Sequence, residues 1–261
     1  MTAALALLAT GGSGPAGAQS GARIHLIHGI PDTPVDVVAG GEVVFSDFAF
    51  QDTQDLSALA GQTLTGLQVR LAGTETVAID AGDVTLPASG NVSIIANLDA
   101  GGNPALNVFT NDTSAIPAGQ GRLVVRHTAA APAVDVLANG AVAFANLSNP
   151  NETQADLPAG TISASVVPTG ATEPVVIGPA DLPVTEGSTL IVYAVGSLDA
   201  GTLTTVTETI GGSGSAPSAV DTGNSPVSDA GATPVAAWVL AGLAGAAAAT
   251  VAGRRVLAAR R

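Results

Sequence analysis

The feature that most constrains this chain is an internal repeat. Arg23 to Phe45, RIHLIHGIPDTPVDVVAGGEVVF, returns as Arg122 to Phe144, RLVVRHTAAAPAVDVLANGAVAF. With His28 set over His127, no gap is needed to bring Val35 onto Val134, Asp36 onto Asp135, Val37 onto Val136, Gly41 onto Gly140 and Phe45 onto Phe144. The register holds to Gly61 over Gly160, and small slips then align the apolar stretches that lead to Gly101 and Gly201. A period of about a hundred residues is long enough for each copy to close its own core, so the repeat predicts two tandem domains rather than a solenoid.

Within each copy the pattern is that of short strands. Ile24, Leu26 and His28 alternate against Arg23, His25 and Ile27, and Leu123, Val125 and His127 alternate against Arg122, Val124 and Arg126. A proline-containing loop follows, then a strand from Val35 or Val134. The tight turns at Gly40-Gly41 and Asn139-Gly140 mark hairpins. Further strands are read at Thr63–Leu71 and Thr161–Val167, near Thr76–Ile79 and Val175–Ile177, at Val92–Asn97 and Thr189–Val195, and within 103–110 and 201–209. About seven short strands per copy predict an all-β fold: two tandem antiparallel β-sandwiches of the immunoglobulin or transthyretin type.

These residues carry a family resemblance. The opening strand with its histidine, the AlaProAlaValAspValLeuAlaAsnGly run ending at Gly140, the Ala60-Gly61 and Ala159-Gly160 turns and the apolar strands after Gly90 and Gly187 make each copy resemble the domain of unknown function 4397 family. The second copy fits more closely, since the first departs at Pro31–Pro34 and has Gly40-Gly41 for Asn-Gly. The resemblance spans about residues 22 to 210 and implies an exported bacterial protein. It supplies no catalytic residues.

Composition narrows the function classes. There is no cysteine, so the fold does not rest on disulfides, a bacterial habit in an exported protein. All eight basic residues are Arg, and four lie in the last eight positions, so everything before them carries 4 − 21 = −17. Such a surface repels phosphate backbones, which argues against nucleic-acid partners, and it suits solubility outside the cell.

The segments around the repeats give the expected layout. Residues 1–20 read as a signal peptide, weak or truncated, with an apolar run Ala3–Ala9 and an Ala16-Gly17-Ala18 cleavage signal but no basic residue before Arg23. The domains are placed at 22–113 and 121–210, joined by a polar connector. Residues 211–233 form a Gly/Ser/Pro linker. Residues 234–253 are expected to be one C-terminal transmembrane helix, because the uncharged run Val235–Gly253 would span roughly 28 Å as a helix. The basic tail 254–261 would then be cytoplasmic. The expectation is a single-pass cell-membrane protein with an extracellular ectodomain.

Candidate sites are few. His28 with Asp36 and His127 with Asp135 could each orient a nucleophile or a metal ligand. No serine recurs beside both pairs, and identical tandem sites look architectural. These four, with Gly41 and Gly140, are read as a structural signature. His25 and His28 fall on opposite strand faces and cannot chelate one zinc. Asp47, Asp52, Asp55 and Asp99 sit in oxygen-rich loops that could offer calcium ligands, although no calcium-loop spacing is present and turn capping explains them more simply. Phe48 and Phe50, in the loop Asp47–Asp55, are the one candidate stacking surface for a ligand; a lid over the core is the simpler reading. The sequence thus predicts a non-enzymatic surface protein without cofactors, structural, adhesive or ligand-binding. An extracellular carbohydrate- or peptide-binding module is the alternative.

Overall fold

The computed structural model describes residues 21–212. The first sandwich comprises β1 (Arg23–His28), β2 (Val35–Ala39), β3 (Glu42–Phe48), β4 (Thr53–Asp55), β5 (Thr63–Leu71), β6 (Val77–Thr85), β7 (Asn91–Leu98) and β8 (Pro104–Thr110). The second comprises β9 (Gln120–His127), β10 (Val134–Ala138), β11 (Ala141–Leu147), β12 (Glu152–Pro158), β13 (Gly160–Pro168), β14 (Ile177–Val184), β15 (Thr189–Val195) and β16 (Thr204–Ile210). The first forms sheets of order β4-β1-β7-β8 and β3-β2-β5-β6, and the second forms β12-β9-β15-β16 and β11-β10-β13-β14. Adding eight to each strand number of the first sandwich gives the second, so the duplication extends to topology.

Three expectations are corrected. Each copy has eight strands rather than seven, because the stretches read as loops after Asp47 and Asn146 run on into β4 and β12, which pair with β1 and β9. Thr53–Asp55 has no apolar alternation of its own; the open edge of β1 supplies the order. The sandwiches are also not purely antiparallel, since β1 pairs with β7 and β9 with β15 in parallel. That order is not the seven-stranded immunoglobulin arrangement; what stands is a pair of β-sandwiches. Finally, the fold class does not keep its C-terminal transmembrane helix. The one helical element among the described residues is the three-residue 3₁₀ turn Ser57–Leu59, and no helix there is long and apolar enough to cross a membrane. The expected helix at 234–253, the signal peptide at 1–20, most of the 211–233 linker and the basic tail lie outside the described residues.

The hairpins form as their turn residues dictate. Gly41 and Gly140 hold φ of +81° and +80°, preceded by Gly40 and Asn139, also at positive φ. Two successive positive-φ residues match the strand twist of a two-residue hairpin. Val35, Val37, Leu67 and Val69 face Ile24, Leu26, Val92 and Ile94 to fill the first sandwich, and Val134 and Val136 face Leu123, Val125, Leu190 and Val192 in the second. Each such side chain contributes about 1.5–3 kcal/mol relative to exposure.

A third core lies between the sandwiches. The outward faces of β1, β7 and β8 and of β9, β15 and β16 bury Ile27, Ile95, Phe109, Val124, Ile191, Tyr193, Val195, Val206 and Ile210 in one cluster. The described chain is therefore four sheets deep, with the β1 and β9 sheets inside. The polar connector between the domains is part of this packing: Asn111 and Ile116 are buried. Gly29 sits against both layers. A Cβ there would lie 2.9 Å from Ile95 Cδ1 and 3.1 Å from Val195 Cγ1, one from each sandwich.

The two sandwich interiors are not equally filled. The first contains a cavity of only about 40 Å³, whereas the second contains one of about 260 Å³. At roughly 24 cal/mol per Å³, a sealed cavity of the larger size would cost about 6 kcal/mol.

Gly29→Val should lower the stability of the whole described unit by about 1–3 kcal/mol through overpacking. The check is urea denaturation followed by a probe in each sandwich, with both transitions expected to shift together.

Candidate functional site

The predicted histidines take their places at the ends of β1 and β9, and both are buried to within 1%. His28 Nε2–H donates to the Thr33 carbonyl at 2.7 Å, and its Nδ1 accepts the Ile30 N–H at 3.2 Å. His127 repeats this with the Pro132 carbonyl at 3.0 Å and the Ala129 N–H at 3.4 Å. A carbonyl can only accept and an amide N–H can only donate, so these partners fix one neutral tautomer. Burial holds both imidazoles below the ordinary value of 6.5; the Thr33 and Pro132 carbonyls pull the other way and are outweighed.

The aspartates do not meet the histidines. Asp36 accepts the N–H groups of Asp47 and Gly73, both at 2.9 Å, and Asp135 accepts those of Asn146 at 2.8 Å and Gly170 at 2.9 Å. Those backbone hydrogen bonds hold both carboxyls below their usual range. Each aspartate thus ties a hairpin bulge to a neighbouring turn. Histidine and aspartate each serve their own loop, and neither pair is wired as a relay.

The other candidates resolve in the same way. Asp52, Asp55 and Asp99 accept backbone amides of Ala49, Ser57, Gly101 and Asn103 in their own turns. Among the described residues no three His, Asp or Glu side chains converge to hold a metal. Phe48 is buried, with its ring 5.7 Å from that of His28, and Phe50 packs partly buried against the core between the sandwiches. Phe48 thus has no free face for stacking, and Phe50 is half-buried.

What the sequence reading missed is a polar cluster inside that shared core. Arg126, 1% exposed, is the largest fully buried side chain among the described residues. Its guanidinium donates to Glu152 Oε2, Tyr193 Oη and Asn111 Oδ1, each at 2.7 Å, and lies 4.3 Å from the centroid of the Phe109 ring. Tyr193 passes the chain on, donating to Glu208 Oε2 at 2.9 Å. Glu208 of the second sandwich then accepts from two residues of the first, Ser93 Oγ at 2.7 Å and His25 Nδ1 at 2.6 Å. Asn111 closes the loop by donating to Asn91 Oδ1 and Ser93 Oγ at 2.7 and 2.8 Å. Burial pushes the Tyr193 phenol above its ordinary value, and the Arg126 charge pulls against this.

Serine, histidine and glutamate occur together here, but their order is wrong for a nucleophile. In a catalytic triad the histidine lies between the serine and the carboxylate. Here Ser93 and His25 both bind Glu208, and Ser93 is fully buried. The cluster binds one sandwich to the other. Asn97 Nδ2 to the Thr128 carbonyl and Asn149 Nδ2 to the Leu98 carbonyl, at 3.1 and 2.9 Å, add further cross-links. One signal was present in the sequence. Ile94–Ala96 and Leu190–Val195 are apolar without alternation, as strands buried on both faces are.

Arg126→Ala should destabilise the protein by about 1–3 kcal/mol for each buried acceptor, Asn111 Oδ1 and Tyr193 Oη, left without its donor, while the half-exposed Glu152 turns to water. Chemical denaturation at neutral pH measures this. Acid should act through the histidines in a separate way. Their folded pKa lies below the ordinary value, so the unfolded chain binds protons first. Stability should fall as pH drops below about 6.5 and keep falling until the depressed folded value, by at most about 1.4 kcal/mol per pH unit per histidine. Asp36 and Asp135 add a second loss only as pH falls through their depressed values, below the ordinary 3.8. Urea midpoints between pH 7.5 and 5.5 test the first window, and combining His28→Gln with His127→Gln should flatten it.

A search of curated proteins returned no match. A family model does match: residues 22–137, which cover the first sandwich, β9 and most of β10, fit the family described as Domain of unknown function (DUF4397). The match falls on the copy that departs from the pattern at Pro31–Pro34, and residues 138–210 lie beyond it.

Proposed function

We propose that the chain is a non-enzymatic protein of the bacterial cell surface, presenting two fused sandwiches as one unit in a structural, adhesive or ligand-binding role. In this reading each sandwich is a copy of the matched family, the second being assigned by its identical strand order. The observation that carries the reading is the use made of the reactive side chains. Arg126, Tyr193, Glu208, His25 and Ser93 are tied to one another across the shared core, where they hold one sandwich to the other. The described residues carry four Arg against 19 acids, a net of −15, and this charge supports a soluble surface outside the cytoplasm. The small-residue stretch ending at Ala18 and the absence of cysteine support export. The glycan-binding alternative finds less support, since Phe48 and Phe50 both pack inward.

Location is tested by adding protease to intact bacteria that express the full-length protein. Loss of the chain while a cytosolic marker survives is the expected result. Recovery of intact protein from the soluble cytosolic fraction would overturn the proposal.

A further inference from the structure

The inequality between the two interiors is the observation that the fold alone does not explain. Both sandwiches have the same strands in the same order, yet only the second holds a 260 Å³ cavity. Two positions account for much of the difference. Leu56, whose N–H bonds the Ile24 carbonyl, is matched by Ala155 opposite Leu123. Leu67, which precedes the residue paired with Val38, is matched by Ala164, which precedes the residue paired with Leu137. Both leucines are buried in the first core, and both alanines line the cavity.

We infer that the second sandwich binds a medium-length alkyl chain between its two sheets. All eight of its strands contribute to the wall, which is aliphatic apart from Phe144, with the hydroxyl residues Ser165 and Thr205 and no charged side chain. A polar or ionic ligand would lose its hydration there without replacement. A smaller apolar cavity, about 150 Å³, already takes up benzene. At the roughly 30 Å³ occupied by a water-sized group, 260 Å³ has room for about nine methylenes. The space lies between sheets that stack about 10 Å apart, a slot with the thickness of a chain rather than a globule. The net charge of −15 favours a neutral molecule, an alcohol or an ester, over a free carboxylate. This inference does not rest on location at the cell surface.

The test is thermal and chemical denaturation of the full-length protein with 1-nonanol as probe, beside Ala155→Leu and Ala164→Leu, singly and together. For the wild type, saturable stabilisation is expected. At a hundredfold excess over Kd the ratio of folded to unfolded protein should rise about a hundredfold. The leucine variants should be more stable without the probe and should respond to it weakly or not at all. Absence of any saturable shift in the wild type overturns the proposal, even if no leucine variant folds. So does an equal response in a folded double variant, which would place binding elsewhere. Octanoate should stabilise less than 1-nonanol, and an equal or larger effect would overturn the preference for a neutral chain. Neutral phosphatidylcholine vesicles form the last arm: co-sedimentation lost in the leucine variants assigns the chain to a lipid, and its absence assigns a free alkyl molecule.

Discussion

A guanidinium cannot be left unpaired in a protein interior, and the arrangement of this molecule follows from that constraint at Arg126. Removing the charge from water is tolerable only when several acceptors meet its N–H groups with good geometry. Glu152, Tyr193 and Asn111 do so, and the ring of Phe109 covers its face. Asn111 and Phe109 belong to the first sandwich or its exit, whereas Glu152 and Tyr193 belong to the second. Satisfying Arg126 therefore requires both sandwiches to be folded and in contact.

The two faces that meet have diverged in a complementary way. Strand register places His25 with Val124, Ser93 with Ile191, and Asn111 with Ile210. It also places Ile27 with Arg126, Ile95 with Tyr193, and Phe109 with Glu208. At each of these six positions one copy has a polar group and the other an apolar one. Each face alone would expose either unpaired hydrogen-bonding groups or a bare apolar patch, and together they neutralise both faults. The β2–β3 hairpin shows the opposite behaviour: Val35, Asp36, Val37 and Gly41 recur unchanged in the second copy. Copies of one fold have thus kept their local scaffolding while their outer surfaces adapted to a single partner, each other.

Their interiors diverged too, by exchange of side-chain size and not of polarity. Ala155 and Ala164 open space in the second sandwich that Leu56 and Leu67 occupy in the first. The backbone topology is the same, so the difference lies in side-chain volume. The shared face gives the pair its cohesion, and the second interior gives it room for an apolar guest.

How much of this could be read from residues alone depends on the range of the interactions. The duplication, the β class and the Asn139-Gly140 and Gly40-Gly41 turns were legible, because repeats, alternation and positive-φ turns are local properties of a sequence. So was the structural standing of His28, His127, Asp36 and Asp135. The histidines bond within their own loops, two and five positions on, whereas Asp36 and Asp135 reach turns 37 and 35 positions away. The strands β4 and β12, the parallel pairing of β1 with β7, and the cluster around Arg126 were decided only by tertiary structure. Arg126 alternates on β9 like a solvent-facing residue, and nothing within the strand signals that a second sheet covers it. Its partners lie 15, 26 and 67 positions away. Sequence determined what each strand could bury, and packing between the two copies decided which outward faces were buried.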